Sequence, residues 1–204
     1  MEMFISDTHF GHENILRECR PQFPDVDTMN RTLIDNINAR MTKRDTLYVL
    51  GDLAYRSKTP VTDILASIRP RLILIQGNHD RDWLRFLSEE ERKQYFGGIH
   101  NELSLKKYGV ELHMSHYPRL AWNRSHFFGQ SLSVCGHIHA TRTGTVAAEL
   151  FPLVKCQFNA GVDVNGFAPV TMEELVRNNT EFYGREYTRE EQAILDETIR
   201  KLMK

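Results

Sequence analysis

Aspartate, histidine and asparagine recur in this chain at the ends of short apolar runs, where they offer oxygen and imidazole ligands to metal ions. Met3-Phe4-Ile5 runs into Ser6-Asp7-Thr8-His9, and Leu47 to Leu50 into Gly51-Asp52. Leu72 to Ile75 leads to Gly77-Asn78-His79-Asp80, Val110 to Met114 leads to Ser115-His116, and Ser133-Val134-Cys135 ends in Gly136-His137-Ile138-His139. Asp7 and His9, two apart on an extended segment, should share a face and reach one cation. His137 and His139 repeat that spacing. Asp52 is a lone carboxylate whose two oxygens could bridge two metals. Asn78 offers a neutral amide oxygen, which fills a second cation without adding charge, and His116 adds a nitrogen. A mixed His and carboxylate set without thiolates suits Mn, Fe, Zn or Co better than Ca. It is large enough for two ions about 3.5–4 Å apart, the arrangement used for hydrolysis at phosphorus.

Something must hold these residues at one edge. Runs of this length, bounded by Gly and polar residues, read as strands. Loops leaving the carboxyl ends of strands in an open α/β sheet converge where ligands bind. Between the runs, residues 27–41 carry Met29, Leu33, Ile37 and Met41 four apart, an amphipathic helix. Residues 62–68 form a shorter helical stretch stopped by Pro70, and residues 81–95 hold one or two surface helices. From Glu102 to Met114 the pattern is strands around a Lys107-Tyr108-Gly109 turn, and residues 145–158 also read as strands. Thr171-x-x-Glu174 and Thr188-x-x-Glu191 have the form of capping boxes. The second opens a terminal helix over about residues 188–203, with Leu195, Ile199 and Leu202 as a core-packing stripe. A β-α-β-α-β order followed by a strand-rich half predicts an α/β architecture of two packed sheets with helices on the outer faces. No repeat or linker divides residues 1–204, which read as a single domain.

Bulk properties narrow the class. With 26 Lys plus Arg against 27 Asp plus Glu, the net charge of −1 gives no signal for nucleic acid or membrane surfaces. No apolar stretch approaches a membrane span, and no basic and apolar leader precedes the first strand. Cys19, Cys135 and Cys156 form no CxxC, which argues against a disulfide framework or zinc knuckle. A cytoplasmic enzyme is the expectation, with the oligomeric state left open.

Taken in order, the segments DTH, GD, GNHD, SH and GHIH resemble the calcineurin-like metallophosphoesterase superfamily, from Asp7 through Gly161. Asp7-Thr8-His9-Phe10-Gly11-His12-x-Asn14 and the run Gly161 to Gly166 are similar to a small bacterial and phage branch of predicted phosphoesterases. The resemblance implies a four-layer α/β/β/α sandwich and two divalent transition-metal ions, Mn first, then Fe, Zn, Co or Ni. It implies that Asp7, His9, Asp52 and His139 bind one ion, and that Asp52, Asn78, His116 and His137 bind the other. A metal-bridging hydroxide would attack phosphorus, while His79, oriented by Asp80, protonates the leaving oxygen. The implied function is hydrolysis of a phosphodiester or a small phosphorylated metabolite. Phosphomonoester hydrolysis on the same centre is the near alternative, and a non-catalytic interaction module on the same fold is a third. The intact set of His79, Asp80 and metal positions favours an enzyme.

The chain also departs from its relatives. Where the protein-phosphatase branch has Asp beside Arg in GD-x-x-D-R, this chain has Tyr55 before Arg56. Arg56 remains available to grip a phosphate oxygen. His79-Asp80 in place of His-Glu points from protein phosphatase to small phosphoesterase, and no large insertion caps the site. His12 could touch the substrate phosphate; Arg124 and His126 could line the cleft. His113 reads as a strand-face residue and His100 as surface. Asn159-Ala160-Gly161 resembles the turn that holds the edge of the site after the GHxH strand.

Overall fold

The apolar runs pair into two four-stranded sheets in a computed structural model that describes residues 1–141 and 143–203. The first sheet holds β1 (Glu2–Ile5), β2 (Thr46–Val49), β3 (Arg71–Ile75) and β4 (Phe96–His100), all parallel and in that spatial order. Its connections contain α1 (Ile15–Glu18), α2 (Val26–Arg40), α3 (Val61–Ser67), α4 (Asp80–Leu84) and α5 (Glu89–Tyr95). In the second sheet β5 (Glu102–Lys107) and β6 (Val110–Ser115) form a hairpin, to which β7 (Ser131–Cys135) and β8 (Gln157–Asn159) add in parallel. Then come α6 (Val146–Leu150), placed between β7 and β8, and α7 (Met172–Tyr183) and α8 (Arg189–Leu202) after β8. Helices flank both sheets, giving the α/β/β/α sandwich that the sequence pattern predicts.

Alternation along the strands explains the layers. Met3, Ile5, Leu47, Val49, Leu72 and Leu74 turn one face of the first sheet toward Met29, Leu33 and Ile37 of α2. Phe4, Tyr48, Leu50 and Ile75 turn the opposite face toward Val110, Leu112, Met114, Val134 and Phe158 of the second sheet. Leu175, Leu195 and Ile199 of the last two helices close this inner cluster. Leu33 is fully buried, so Leu33→Ala should cost about 2–5 kcal/mol. The predicted capping boxes of α7 and α8 are formed, with Thr171 and Thr188 accepting from the backbone of Glu174 and Glu191.

Two elements differ from the reading of the sequence. Residues 145–158 carry α6, a single 3-10 turn at Phe151–Leu153 and only the first two residues of β8, rather than strands throughout. Thr145 caps the Ala148 amide, and the Ala147-Ala148-Glu149-Leu150 run has good helix propensity. Burial of Ala148 and Phe151 then holds the segment down. The second difference is β4, whose Phe96-Gly97-Gly98 start lacks an apolar run. It pairs with β3 through a register shift between Leu72 and Ile73. Among the described residues, no helix is long and apolar enough to cross a membrane.

Candidate metal centre

Each strand that ends in a ligand-bearing loop delivers it to the same edge of the sandwich, but the loops are not extended. Asp7, His9, Asp52, His137 and His139 all have positive φ, between 48° and 71°. The left-handed region costs a non-glycine residue about 1–2 kcal/mol. Such strain persists only where surrounding structure over-determines it, and it clusters at functional sites. The shared direction expected from strand alternation is therefore replaced by a pair of left-handed turns in each segment. Glycine is demanded beside them for a steric reason. A Cβ on Gly51, itself at φ 89°, would overlap His116, and one on Gly136 would overlap Ser6 and Asp7.

The side chains form two groups around Asp52. Ligand atoms of Asp7, His9 and His139 lie within 4.8 Å of one another, as do those of Asp52, His116 and His137. Asp52 Oδ2 stands between them, 3.8 Å from His9 Nε2, 3.5 Å from His116 Nε2 and 3.9 Å from His79 Nε2. Asn78 Oδ1 is 3.1 Å from His116 Nε2 and belongs to the second group. Both ring nitrogens of His9 are buried without a hydrogen-bond partner, which is rare unless an ion or water satisfies them. His116 Nδ1 lies 2.8 Å from the Leu50 carbonyl, and His139 Nδ1 lies 2.8 Å from Asp163 Oδ2. Both contacts engage Nδ1 and leave Nε2 as the nitrogen available for metal ligation. This donor set suits divalent metal ions.

Three buried residues hold this arrangement. Asp80 was expected to orient His79, and it does not. Its oxygens accept from the backbone amides of Asp52, Leu53 and Gly77 and from the Trp83 indole, at 2.8–3.1 Å. It therefore locks the Asp52 and Asn78 loops together, because a fully buried carboxylate with four N–H donors has no capacity left for the imidazole. Asp163 and Arg20 carry no role in the sequence reading. Asp163 holds His139 and accepts from Arg20 Nε at 2.7 Å and Nη2 at 3.0 Å. Arg20, wholly buried, also donates to the carbonyls of Asp7 and Thr8. One guanidinium thus ties together the loops after β1 and β8. The only sequence signal was Asp163 two residues beyond Gly161; Arg20, 143 positions away, had none. Asn159 does hold the edge, donating to the His139 carbonyl at 2.7 Å and accepting from Gly161 at 2.8 Å.

Electrostatics follow burial. Desolvation pushes the Asp7 carboxyl up, while burial and the neighbouring His139 push His9 down to about 2. His9 is thus a neutral lone-pair donor. Burial opposes charge at His116 and His139, yet Asp52 lifts the first to about 9 and Asp163 lifts the second to about 10. Asp52 is held at about 2 against its burial, chiefly by His116. Divalent cations compete for these same carboxylates and imidazoles, so metal binding should release protons.

At the mouth, His79 is partly exposed, and its ring lies 3.9 Å from that of Tyr55. His12 packs 4.8 Å from Tyr55 and 5.3 Å from His9, with its Nδ1 buried and unpartnered. Arg56 places its guanidinium over Tyr55 at 5.0 Å and also adopts a positive φ of 48°. Tyr117 edges the second group, its hydroxyl 3.3 Å from Asn78 Oδ1. His113 bonds Ser104 across the β5–β6 hairpin and lies on the strand face as expected. Arg124 bonds Gln130 and lies 3.6 Å from Glu111 of β6, and the His126 ring packs tilted against Phe127 at 4.0 Å, so these contacts hold that loop to itself and to β6.

Comparison with known proteins agrees with this construction. The model of the calcineurin-like phosphoesterase superfamily domain matches residues 1–152. An uncharacterized protein of Methanocaldococcus jannaschii, MJ1445, is 28% identical over 178 residues, covering 85% of this chain and 88% of that protein. A crystal structure of AQ665 from Aquifex aeolicus, a protein of unknown function, superposes with a TM-score of 0.63 at 28% identity. It covers 87% of this chain and 98% of that one. With a family match over three quarters of its length, the chain belongs to the calcineurin-like phosphoesterase superfamily.

Proposed function

We propose that this protein hydrolyses phosphate esters with two divalent transition ions, Mn²⁺ foremost, and that it acts on a phosphodiester or small phosphorylated metabolite. One observation carries the reading. A single oxygen of Asp52 stands within 4 Å of imidazole nitrogens from His9, His79 and His116, where it can serve both ligand groups and face the acid. Asp7, His9, Asp52 and His139 would hold one ion, and Asp52, Asn78, His116 and His137 the other. Bound there, the ions would supply positive charge for the phosphoryl oxygens and lower the pKa of water. His79 delivers a proton to the leaving oxygen. Arg56 and His12 both pack against Tyr55, and from there they would meet phosphate oxygens.

The test is a screen of Mn²⁺-loaded protein against bis-p-nitrophenyl phosphate, p-nitrophenyl phosphate, cyclic nucleotides and dinucleoside polyphosphates. Both nitrophenyl esters should turn over, the diester faster, and EDTA should abolish the activity. Turnover of the monoester alone would move the assignment to a phosphomonoesterase. Full activity in EDTA would end the metal reading.

His79 has its own test. His79→Ala should cost about 10²–10⁴ in rate with an alkoxide leaving group. It should cost far less with p-nitrophenolate, while metal content stays unchanged. Equal losses on both substrates would remove the acid role.

A further inference from the structure

Tyr55 borders two spaces. One side meets His79 and His12, and the residue also lines a cavity of about 390 Å³ with Arg56, Ser57, Trp83, Arg85 and Phe86. That volume lies at the small end of ligand sites, about 300–1,000 Å³, and would hold one mononucleotide-sized group. One wall comes from α4, which begins at the residue after His79 and supplies Asp82 and Trp83, with Arg85 and Phe86 just past its end. Trp83 donates to the buried Asp80, which fixes this part of the wall beside His79.

The wall chemistry is specific. Arg56 lies over the Tyr55 ring at 5.0 Å, and Arg85 over the Phe86 ring at 4.8 Å. Neither guanidinium has a carboxylate at ion-pair distance among the described residues, although Asp82 also borders the cavity. Phe86 is 75% exposed at the rim, with Arg85 against its ring. Unpaired guanidiniums take phosphate oxygens in a fork, and exposed aromatic rings stack on planar bases. An acyl chain would not select two unpaired cations, and a simple sugar would not need the exposed ring.

A general acid must lie within about 2.6–3.2 Å of the oxygen it protonates. Tyr55, whose ring is 3.9 Å from that of His79, also lines the cavity, so a group carried by that oxygen has a path along Tyr55 into it. We propose that the cavity binds the leaving half of the substrate, and that this half is a nucleoside phosphate. Its base stacks on Phe86, and its phosphate lies between Arg56 and Arg85. In the reaction water oxygen bonds to phosphorus as the bond to the leaving oxygen breaks. The electron pair stays on that oxygen, the His79 proton joins it, and a proton of the water is released. This inference rests on the acid role given to His79.

Calorimetric titration of the Mn²⁺-loaded protein with adenosine monophosphate, ribose phosphate and inorganic phosphate tests it without requiring turnover. Adenosine monophosphate should bind about tenfold tighter than ribose phosphate, as stacking of one base provides. Phe86→Ala should erase that preference, and Arg85→Gln should weaken adenosine monophosphate about as much. Both side chains are exposed, so neither change should impair folding. Equal affinity for the two ligands, or a preference that survives Phe86→Ala, overturns the proposal. Turnover of a dinucleotide assigns a ribose hydroxyl as the leaving oxygen, and turnover of a dinucleoside polyphosphate assigns a phosphate. Failure to hydrolyse bis-p-nitrophenyl phosphate would count against the phosphoesterase reading and leave the base preference to be decided by the titration.

Discussion

The two groups of side chains on either side of Asp52 are held in opposite ways. Around Asp7, His9 and His139 the protein is closed, and a buried Arg20–Asp163 pair braces both the loop after β1 and the His139 ring. Around His116 and His137 it is open: His137 is exposed, and the neighbouring Tyr117 is half exposed. A buried arginine is tolerated only when every donor is matched, and here the matching partners are loop carbonyls and a carboxylate that contacts a ligand. The difference teaches that one group is pre-organised by paired charge, while the other keeps a solvent-accessible side. It predicts unequal metal affinity at the two positions.

Removing the shared residue should abolish the distinction altogether. Asp52→Asn should lower the rate by about 10³ or more, beyond the loss from any terminal ligand, because both positions weaken together. Metal analysis after gel filtration should find both ions depleted; one ion retained at full occupancy would show that Asp52 does not bridge.

Breaking the brace should expose what it contributes. Arg20→Met strips the guanidinium from Asp163 and from the Asp7 and Thr8 carbonyls, leaving His139 as the remaining partner of that carboxylate, and should cost about 3 kcal/mol of stability in urea unfolding of the metal-free protein. A loss below about 1 kcal/mol would mean that water replaces the guanidinium at little cost.

Asp163→Asn sharpens the comparison more gently. It keeps the shape but loses the carboxylate that orients His139, and such partners are worth about 10–100-fold in metal affinity. The tighter of two Mn²⁺ dissociation constants should shift and the weaker should not. A shift confined to the weaker constant would reverse the assignment of the closed group as the tight one.

A distant ion pair provides the reference for an ordinary surface contribution. Burial would raise the Glu174 carboxyl, but Arg40, which donates to both oxygens, and the Thr171 amide lower it below 4.5. A depressed carboxylate stabilises above its unfolded value and loses that contribution as pH falls below it. Glu174→Gln should therefore flatten the acid side of the stability profile below about pH 4.5 by a small amount, with metal affinity unchanged. Thermal unfolding between pH 3 and 6 would show it.

Much of the site was legible because its pieces are local. Glycine beside Asp52, Asn78 and His137, and the order in which those segments occur, are linear features, and each follows a strand whose apolar alternation is also linear. The α2 stripe of Met29, Leu33 and Ile37 and the capping boxes at Thr171 and Thr188 were readable for the same reason. Segment 145–158 misread because Ala148 and Phe151 are held by burial, which periodicity over so short a run does not report. Strand β4 was invisible because pairing with β3, rather than side-chain propensity, makes it a strand.

The sequence alone determined which residue types could meet at the strand ends, since ligand chemistry is a property of single side chains. Tertiary structure alone decided how they are held. The left-handed turns at Asp7, His9 and Asp52, the diversion of Asp80 from His79 to backbone amides, and the meeting of Arg20 with Asp163 across 143 positions all depend on non-local packing. A buried charge must find its partners wherever the fold brings them, and sequence spacing carries no record of that search.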